Sequence, residues 1–275
     1  MIVGLMGVFV APLVRFTIRE PERGSLDYPQ ASDSFTSSDQ RREYASDILG
    51  VLKFLLGKPS FWLLSFGAAS ASVCGYGLAA WLPSFFVRSF GLSLSETAGY
   101  YAGITFLGGV VGIWCGGQIA DKLGLLARSA YPLVPAVAFV ISVPCFILAM
   151  NIQGILYSLF ANLEHADWGG LSVAFIVFLV PTALSVVWLG PVSASIQHLV
   201  PVSMRATASA LMLLINNLFG IAGGVFYFGW MSDALRPMFG EESLRWSIYS
   251  GLVFYFISAA LFFVASRTLK RDWVD

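Results

Sequence analysis

The chain has 275 residues, of which 57% are hydrophobic and 12% charged, and its mean hydropathy is +0.76. Soluble domains carry about 25% charged residues, so this composition excludes one and points to an integral membrane protein. Sixteen basic and sixteen acidic side chains give no net charge, hence no general attraction for a polyanion such as nucleic acid.

The opening MIVGLMGVFVAPLV is apolar for 14 residues before Arg15. That is short for a crossing, and no basic segment precedes it as in a signal peptide. It reads as the end of a span, running from outside to inside, whose beginning is missing. Residues 24–42, GSLDYPQASDSFTSSDQRR, are rich in Ser, Asp and Gln and read as a flexible cytoplasmic linker. In EYASDILGVLKFLLGKP, the residues Ile48, Leu49, Leu52, Leu55 and Leu56 recur at helical spacing, and Pro59 ends the pattern. This is either a short helix on the membrane surface or the start of the next span.

A crossing helix needs about 20 apolar residues, and six stretches supply them, at 60–86, 97–119, 131–151, 171–196, 207–230 and 246–265. The second carries Gly99, Gly103, Gly108, Gly112 and Gly116, so that one face is nearly bare and another helix can approach closely. The fifth repeats the theme with Gly220, Gly223, Gly224 and Gly229, and the fourth is broken by Pro181 and Pro191. On one set of alternate connections lie Arg15, Arg19, Arg23, Arg41, Arg42, Lys53, Lys58, Lys122, Arg128, Arg205, Arg267, Lys270 and Arg271; on the other lie only Arg88, Arg236 and Arg245. The richer side is expected in the cytoplasm, with the C-terminus.

After the second span comes GGQIADKLG, residues 116–124. Gly117 and Asp121 are four apart and share a face at the cytoplasmic end. There the carboxylate can accept hydrogen bonds from the free N–H groups that open a neighbouring helix. Lys122 can snorkel to the interface and Gly124 permits a tight turn. An ordinary polar turn between two helices would use the same residues.

This G-x-x-x-D-[RK]-x-G pattern resembles the cytoplasmic signature of the major facilitator superfamily. Gly117, Asp121, Lys122 and Gly124 match it; the usual basic pair is replaced by Leu125 and Leu126, with Arg128 the nearest substitute. The departure fits the weaker copy between that family's eighth and ninth helices. Three further stretches are similar to its spinster-like branch: LVRFTIREPERG at 13–24, GYGLAAWLPSFFVRSFGLS at 75–93 and LVPVSMRATASALMLLINNLFG at 199–220.

The resemblance implies an all-α polytopic membrane bundle, the C-terminal six-helix half of a twelve-helix transporter. Its expected parts are a truncated helix end at 1–18, a linker with a short amphipathic helix at 19–59, the bundle at 60–265 and a cytoplasmic tail at 266–275. Gly223-Gly224 stands where the family often has Gly-Pro, so this helix should be less kinked. Asp121 would clamp a helix of the missing N-terminal half when the cytoplasmic side is closed. Arg205 would sit at the cytoplasmic mouth, paired with an acid or a lipid phosphate, or serve as a plain anchor.

Polar groups in the bilayer need a reason. Asn216 and Asn217 fall near the middle of their span and are the first candidates for a substrate cavity. Adjacent helical residues point about 100° apart, so at most one faces it, and either serves equally as a hydrogen bond between helices. Tyr76, Trp81, Trp188 and Ser193 could line the same space or simply pack. Arg88, at the outer end of the first full span, fits an outer gate or a helix terminator.

Enzymatic chemistry is not expected, since only His165 and His198 are available and no Ser-His, Cys-His or paired intramembrane carboxylates occur. Glu164, His165 and Asp167 read as solvated loop residues rather than metal ligands, and Cys74, Cys115 and Cys145 as packing residues. The expected function is secondary transport of an amphipathic or lipid-like organic solute in the cell membrane, the bacterial inner membrane, without cofactor or metal. The alternative is a truncated, non-transporting membrane protein or interaction module. The expected partners are membrane lipids, the solute and the missing half, with no nucleic acid.

Overall fold

The computed structural model describes residues 12, 16, 17, 48–159 and 169–274, and every regular element among them is helical. The chain divides into two units, Met1–Ser46 and Asp47–Asp275. The half-span at 1–18, apart from the helical Pro12, Phe16 and Thr17, lies outside the described residues, as do the linker at 24–42 and the cluster Glu164, His165 and Asp167.

In the second unit the helices are α1 (Ile48–Leu56), α2 (Pro59–Phe90), α3 (Leu94–Gly124), α4 (Ala130–Leu159), α5 (Gly169–Val186), α6 (Leu189–His198), α7 (Arg205–Asn217), α8 (Gly223–Phe239), α9 (Ser243–Gly251) and α10 (Val253–Asp272). A π turn, Leu218–Ala222, joins α7 to α8. Short α1 is a separate helix that ends before Pro59. Its apolar residues split between a packed side, Val51 and Leu55, and an exposed side, Ile48, Leu49 and Leu56.

Four helical runs long and apolar enough to cross a membrane precede a fifth, Val202–Asp272, of 71 residues. At about 1.5 Å per residue that run would exceed the roughly 30 Å of bilayer hydrocarbon several times over. It folds back at Gly240, whose φ of 53° is open to glycine, and α8 packs on α9. Counted as two rods, it brings the described membrane-length rods to six.

Local chemistry sets the ends. Gly91, at φ 67°, closes α2 by bonding its N–H to the Phe86 carbonyl. Two residues on, Ser93 and Glu96 form a capping box: Glu96 accepts from the Ser93 N–H at 3.0 Å, and the Ser93 hydroxyl accepts from the Glu96 N–H at 3.3 Å.

Lipid is as apolar as leucine, so helices in it are held by close packing and small residues rather than by the hydrophobic effect. The glycine face of α3 shows how. A Cβ added at Gly112 would overlap the Ala183 carbonyl, and at Gly116 it would fall 2.5 Å from the Val187 carbonyl, so α3 lies backbone to backbone on the α5–α6 rod. Gly103 meets Phe175 and Gly108 meets Thr182, while Gly99 faces open space. On α8, Gly224 lies against Val73 of α2 and Gly229 against Trp81. Behind these seams Phe139, Tyr255 and Phe262 form a buried aromatic stack, with Phe139 and Tyr255 centroids 4.8 Å apart.

Candidate functional site

A cavity of about 270 Å³ opens between α2, α3, α4, α5, α6, α7 and α10. Two irregularities shape it. Pro191 has no N–H to offer the Val187 carbonyl, so the rod stops at Val186 and restarts at Leu189, leaving buried Trp188 in the break and on the cavity wall. Opposite, α7 ends at Asn217 and the π turn begins, which leaves Asn216 facing α2.

The wall is mostly apolar, with Leu78, Leu82 and Phe146 among its residues, and its polar groups are neutral. Among the described lining residues there is no Asp, Glu, Lys, Arg or His. Of the residues singled out in the sequence, Asn216, Tyr76 and Trp188 line this cavity. Asn216 is 5% exposed, and its Oδ1 accepts a 2.6 Å hydrogen bond from the Ser72 hydroxyl. One asparagine therefore meets both descriptions, bridging two helices and lining the space. Asn217 and Ser193 are exposed and lie outside its wall.

Trp81 is placed elsewhere: its indole N–H donates to the Val225 carbonyl at 3.0 Å, holding α2 to α8. With Arg88 it lines a second cleft of about 170 Å³ that also contains Asp233, Arg236 and Glu241. Charge of both signs thus collects at this end of the bundle.

At the other end lie the motif residues. Asp121 is exposed and accepts a hydrogen bond from the Tyr131 hydroxyl at 3.3 Å. Lys122 is exposed, and Gly117 lies under Gly190 of α6. Gly124 is required for space rather than for a left-handed turn: its φ is not positive, and an added Cβ would fall 2.6 Å from the Tyr131 ring. Arg205 donates from Nε to the Gln197 carbonyl at 3.0 Å, a cation at the end of α6 as the helix dipole favours.

The same end carries an arrangement built on the tail. Trp273 stacks on His198 with centroids 4.5 Å apart, lies under the Arg128 guanidinium at 5.0 Å and meets Tyr131 at 5.9 Å. The Val274 N–H donates to the His198 carbonyl at 2.8 Å. Arg128, the substitute for the motif's missing basic pair, thus contributes a cation–π contact.

Sequence reasoning passed over several cavity groups: Ser72, Thr105, Thr182, Ser185 and Tyr255. Serines and threonines are too common in membrane helices to stand out. Tyr255 did carry a signal, a hydroxyl in the middle of a span, where it needs a partner.

Residues 1–225 match the family model of the Major Facilitator Superfamily. An MFS-type efflux pump of Mycolicibacterium smegmatis is 30% identical over 223 residues, covering 80% of this chain and 48% of that protein. Protein spinster homolog 1 of Xenopus laevis is 26% identical over 246 residues, covering 84% and 42%. Among solved structures, the fold is similar to a bacterial homologue of the human lysosomal transporter Spinster, inward-facing and unoccupied. There the TM-score is 0.72 with 27% identity, covering 100% of this chain and 59% of that one. Against an inward-facing, occupied form the TM-score is 0.64 with 26% identity, covering 100% and 58%. The chain spans about half the length of the curated relatives it matches. Helical architecture, signature motif and family match agree: the chain belongs to the Major Facilitator Superfamily and, within that family of membrane transporters, is spinster-like.

Proposed function

We propose that the chain forms the C-terminal half of a secondary active transporter that moves an amphipathic or lipid-like organic solute by alternating access. The observation that carries this is the open cavity of about 270 Å³ between the membrane-length rods, with apolar walls and neutral polar groups. Pockets for small organic ligands occupy about 300–1,000 Å³ and combine apolar walls with a few placed polar groups. One half offering somewhat less fits a site shared with a second half. The partner is an N-terminal half, and α3 offers apolar Phe106, Val110 and Trp114 to it or to lipid.

In this reading Asp121, Lys122, Arg128 and Arg205 lie at the cytoplasmic mouth, with the C-terminus, and Arg88 at the outer cleft. The supporting observation is that Trp273 gathers Arg128 and His198 at the Asp121 end, while Arg88 and Arg236 share the opposite cleft. The setting is the cell membrane, the bacterial inner membrane. No cofactor enters the mechanism.

The test is flux. The protein is isolated from its own membrane, with any companion polypeptide retained, and reconstituted in liposomes loaded with an NBD-labelled monoacylglycerol. Saturable flux above that of empty liposomes, abolished by Trp188→Arg in the cavity wall, is expected. Flux equal to that of empty liposomes refutes the reading.

A further inference from the structure

Two polar residues of the cavity keep hydrogen-bonding capacity that no described residue uses. Tyr255 is fully buried on α10, and its ring is accounted for by stacking on Phe139 at 4.8 Å. Its oxygen is not accounted for. Among the described residues the hydroxyl has no partner in hydrogen-bonding geometry, although the Cys74 thiol and the Ser185 hydroxyl lie beside it. Ser185 instead gives its proton to the Thr182 carbonyl at 2.7 Å. Asn216 uses its Oδ1 on Ser72, which leaves the amide N–H₂ without a partner among the described residues.

Buried side-chain donors nearly always find partners, because an unmet one forfeits its bonds to water. Here a buried unmet hydroxyl on α10 and an unmet amide on α7 belong to residues that line one space. A phenylalanine would fill the place of the Tyr255 ring, so packing does not explain the oxygen. The Asn216 amide N–H₂ can only donate and the Tyr255 hydroxyl can donate as well as accept, so the one complement that serves both is an acceptor. The described wall holds no ionised side chain, and an ion buried there would lack a counter-charge.

Resting on the transporter reading above, we propose that Tyr255 and Asn216 form a neutral hydrogen-bonding subsite inside this half, which receives an uncharged acceptor oxygen of an otherwise apolar solute. A carbonyl, ether or hydroxyl oxygen has the required chemistry. The apolar remainder would lie along Leu78, Leu82 and Phe146.

The test uses the whole chain in detergent micelles with two probes of equal carbon number, 2-dodecanone and n-dodecane. Binding is followed by the intrinsic fluorescence change that Trp188→Phe removes. The wild-type protein should bind the ketone about tenfold more tightly than the alkane, the worth of one hydrogen bond. Tyr255→Phe should erase that preference, leave alkane binding unchanged, and leave melting temperature unchanged or raised. An intact ketone preference in Tyr255→Phe overturns the subsite. So does a lowered melting temperature or a failure to fold, since either shows that the hydroxyl serves a partner within the protein. Absence of saturable binding by both probes overturns the cavity reading itself, and the subsite with it.

Discussion

The Asp272 carboxylate accepts a hydrogen bond from the Ser60 backbone N–H at 3.0 Å, so the end of α10 caps the start of α2 across 212 residues of chain. Beside it the Lys58 ammonium donates to the Asp272 carbonyl at 2.7 Å, and the Ser60 and Thr268 hydroxyls lie 2.8 Å apart. An acid on the free N–H groups of a neighbouring helix was the role the sequence suggested for Asp121. Within the described residues Asp272 fills it. Replacing the capping acid by alanine should cost about 1 kcal/mol of stability, and Asp272→Asn should cost less. Thermal unfolding in detergent measures both, and equal stability of all three proteins contradicts a capping role.

The glycine seam on α3 makes a second expectation. Gly112→Ala places a methyl group onto the Ala183 carbonyl, which is backbone and cannot swing aside. A loss of about 1–3 kcal/mol is expected, the usual cost of overpacking. Gly109→Ala is the control. Nothing lies within 4 Å of a Cβ there, so this variant should gain about 0.5–1 kcal/mol from reduced chain entropy. The order of the two melting temperatures is the readout.

Among the described residues, the Ser72–Asn216 hydrogen bond is the one that ties the cavity asparagine to α2. Ser72→Ala and Asn216→Ala should each cost about 1 kcal/mol, and the double variant little more than either. Asn217→Ala, on an exposed position, should leave stability unchanged. A double-mutant cycle that proves additive removes the bond from the account.

Asp121 is exposed, and among the described residues a 3.3 Å hydrogen bond from the Tyr131 hydroxyl is what holds its carboxylate. If it clamps a helix start in the other half, Asp121→Asn in the complete transporter removes about 0.3–1 kcal/mol of charge–dipole attraction. This shifts the closed-to-open ratio by up to roughly fivefold toward the cytoplasm-open state and lowers turnover. Labelling of an introduced cysteine from the cytoplasmic side reads the shift; unchanged labelling and unchanged transport together reject the clamp.

Much of this architecture was legible because the bilayer imposes strong rules. Apolar runs of crossing length marked the rods, and glycines at four-residue spacing marked the α3 face that meets Ala183 and Val187. The prolines foretold a break but not its place, which falls between them at Val187–Trp188, because Pro191 withdraws a donor one turn upstream. Periodicity alone could not divide the candidate site residues. Trp81 and Trp188 look alike in sequence, and only the packing of α2 on α8 directs the first to Val225 and away from the cavity. Nor could it show that Asp272, in a tail that follows three basic residues with two acids, reaches back to Ser60, since that contact depends on two helices far apart in the chain meeting at one end of the bundle.

The π turn at Leu218–Ala222 carries one last consequence. A π turn fits one residue more than an α turn, so the helix accommodates a supernumerary residue without rotating what lies on either side. Asn216 upstream remains on Ser72, and Gly224 downstream remains on Val73. Both contacts obey the phase of an uninterrupted α-helix one residue shorter. A homologue lacking one residue in this segment would therefore keep both contacts, whereas the same deletion a turn earlier in α7 would swing the asparagine away from α2.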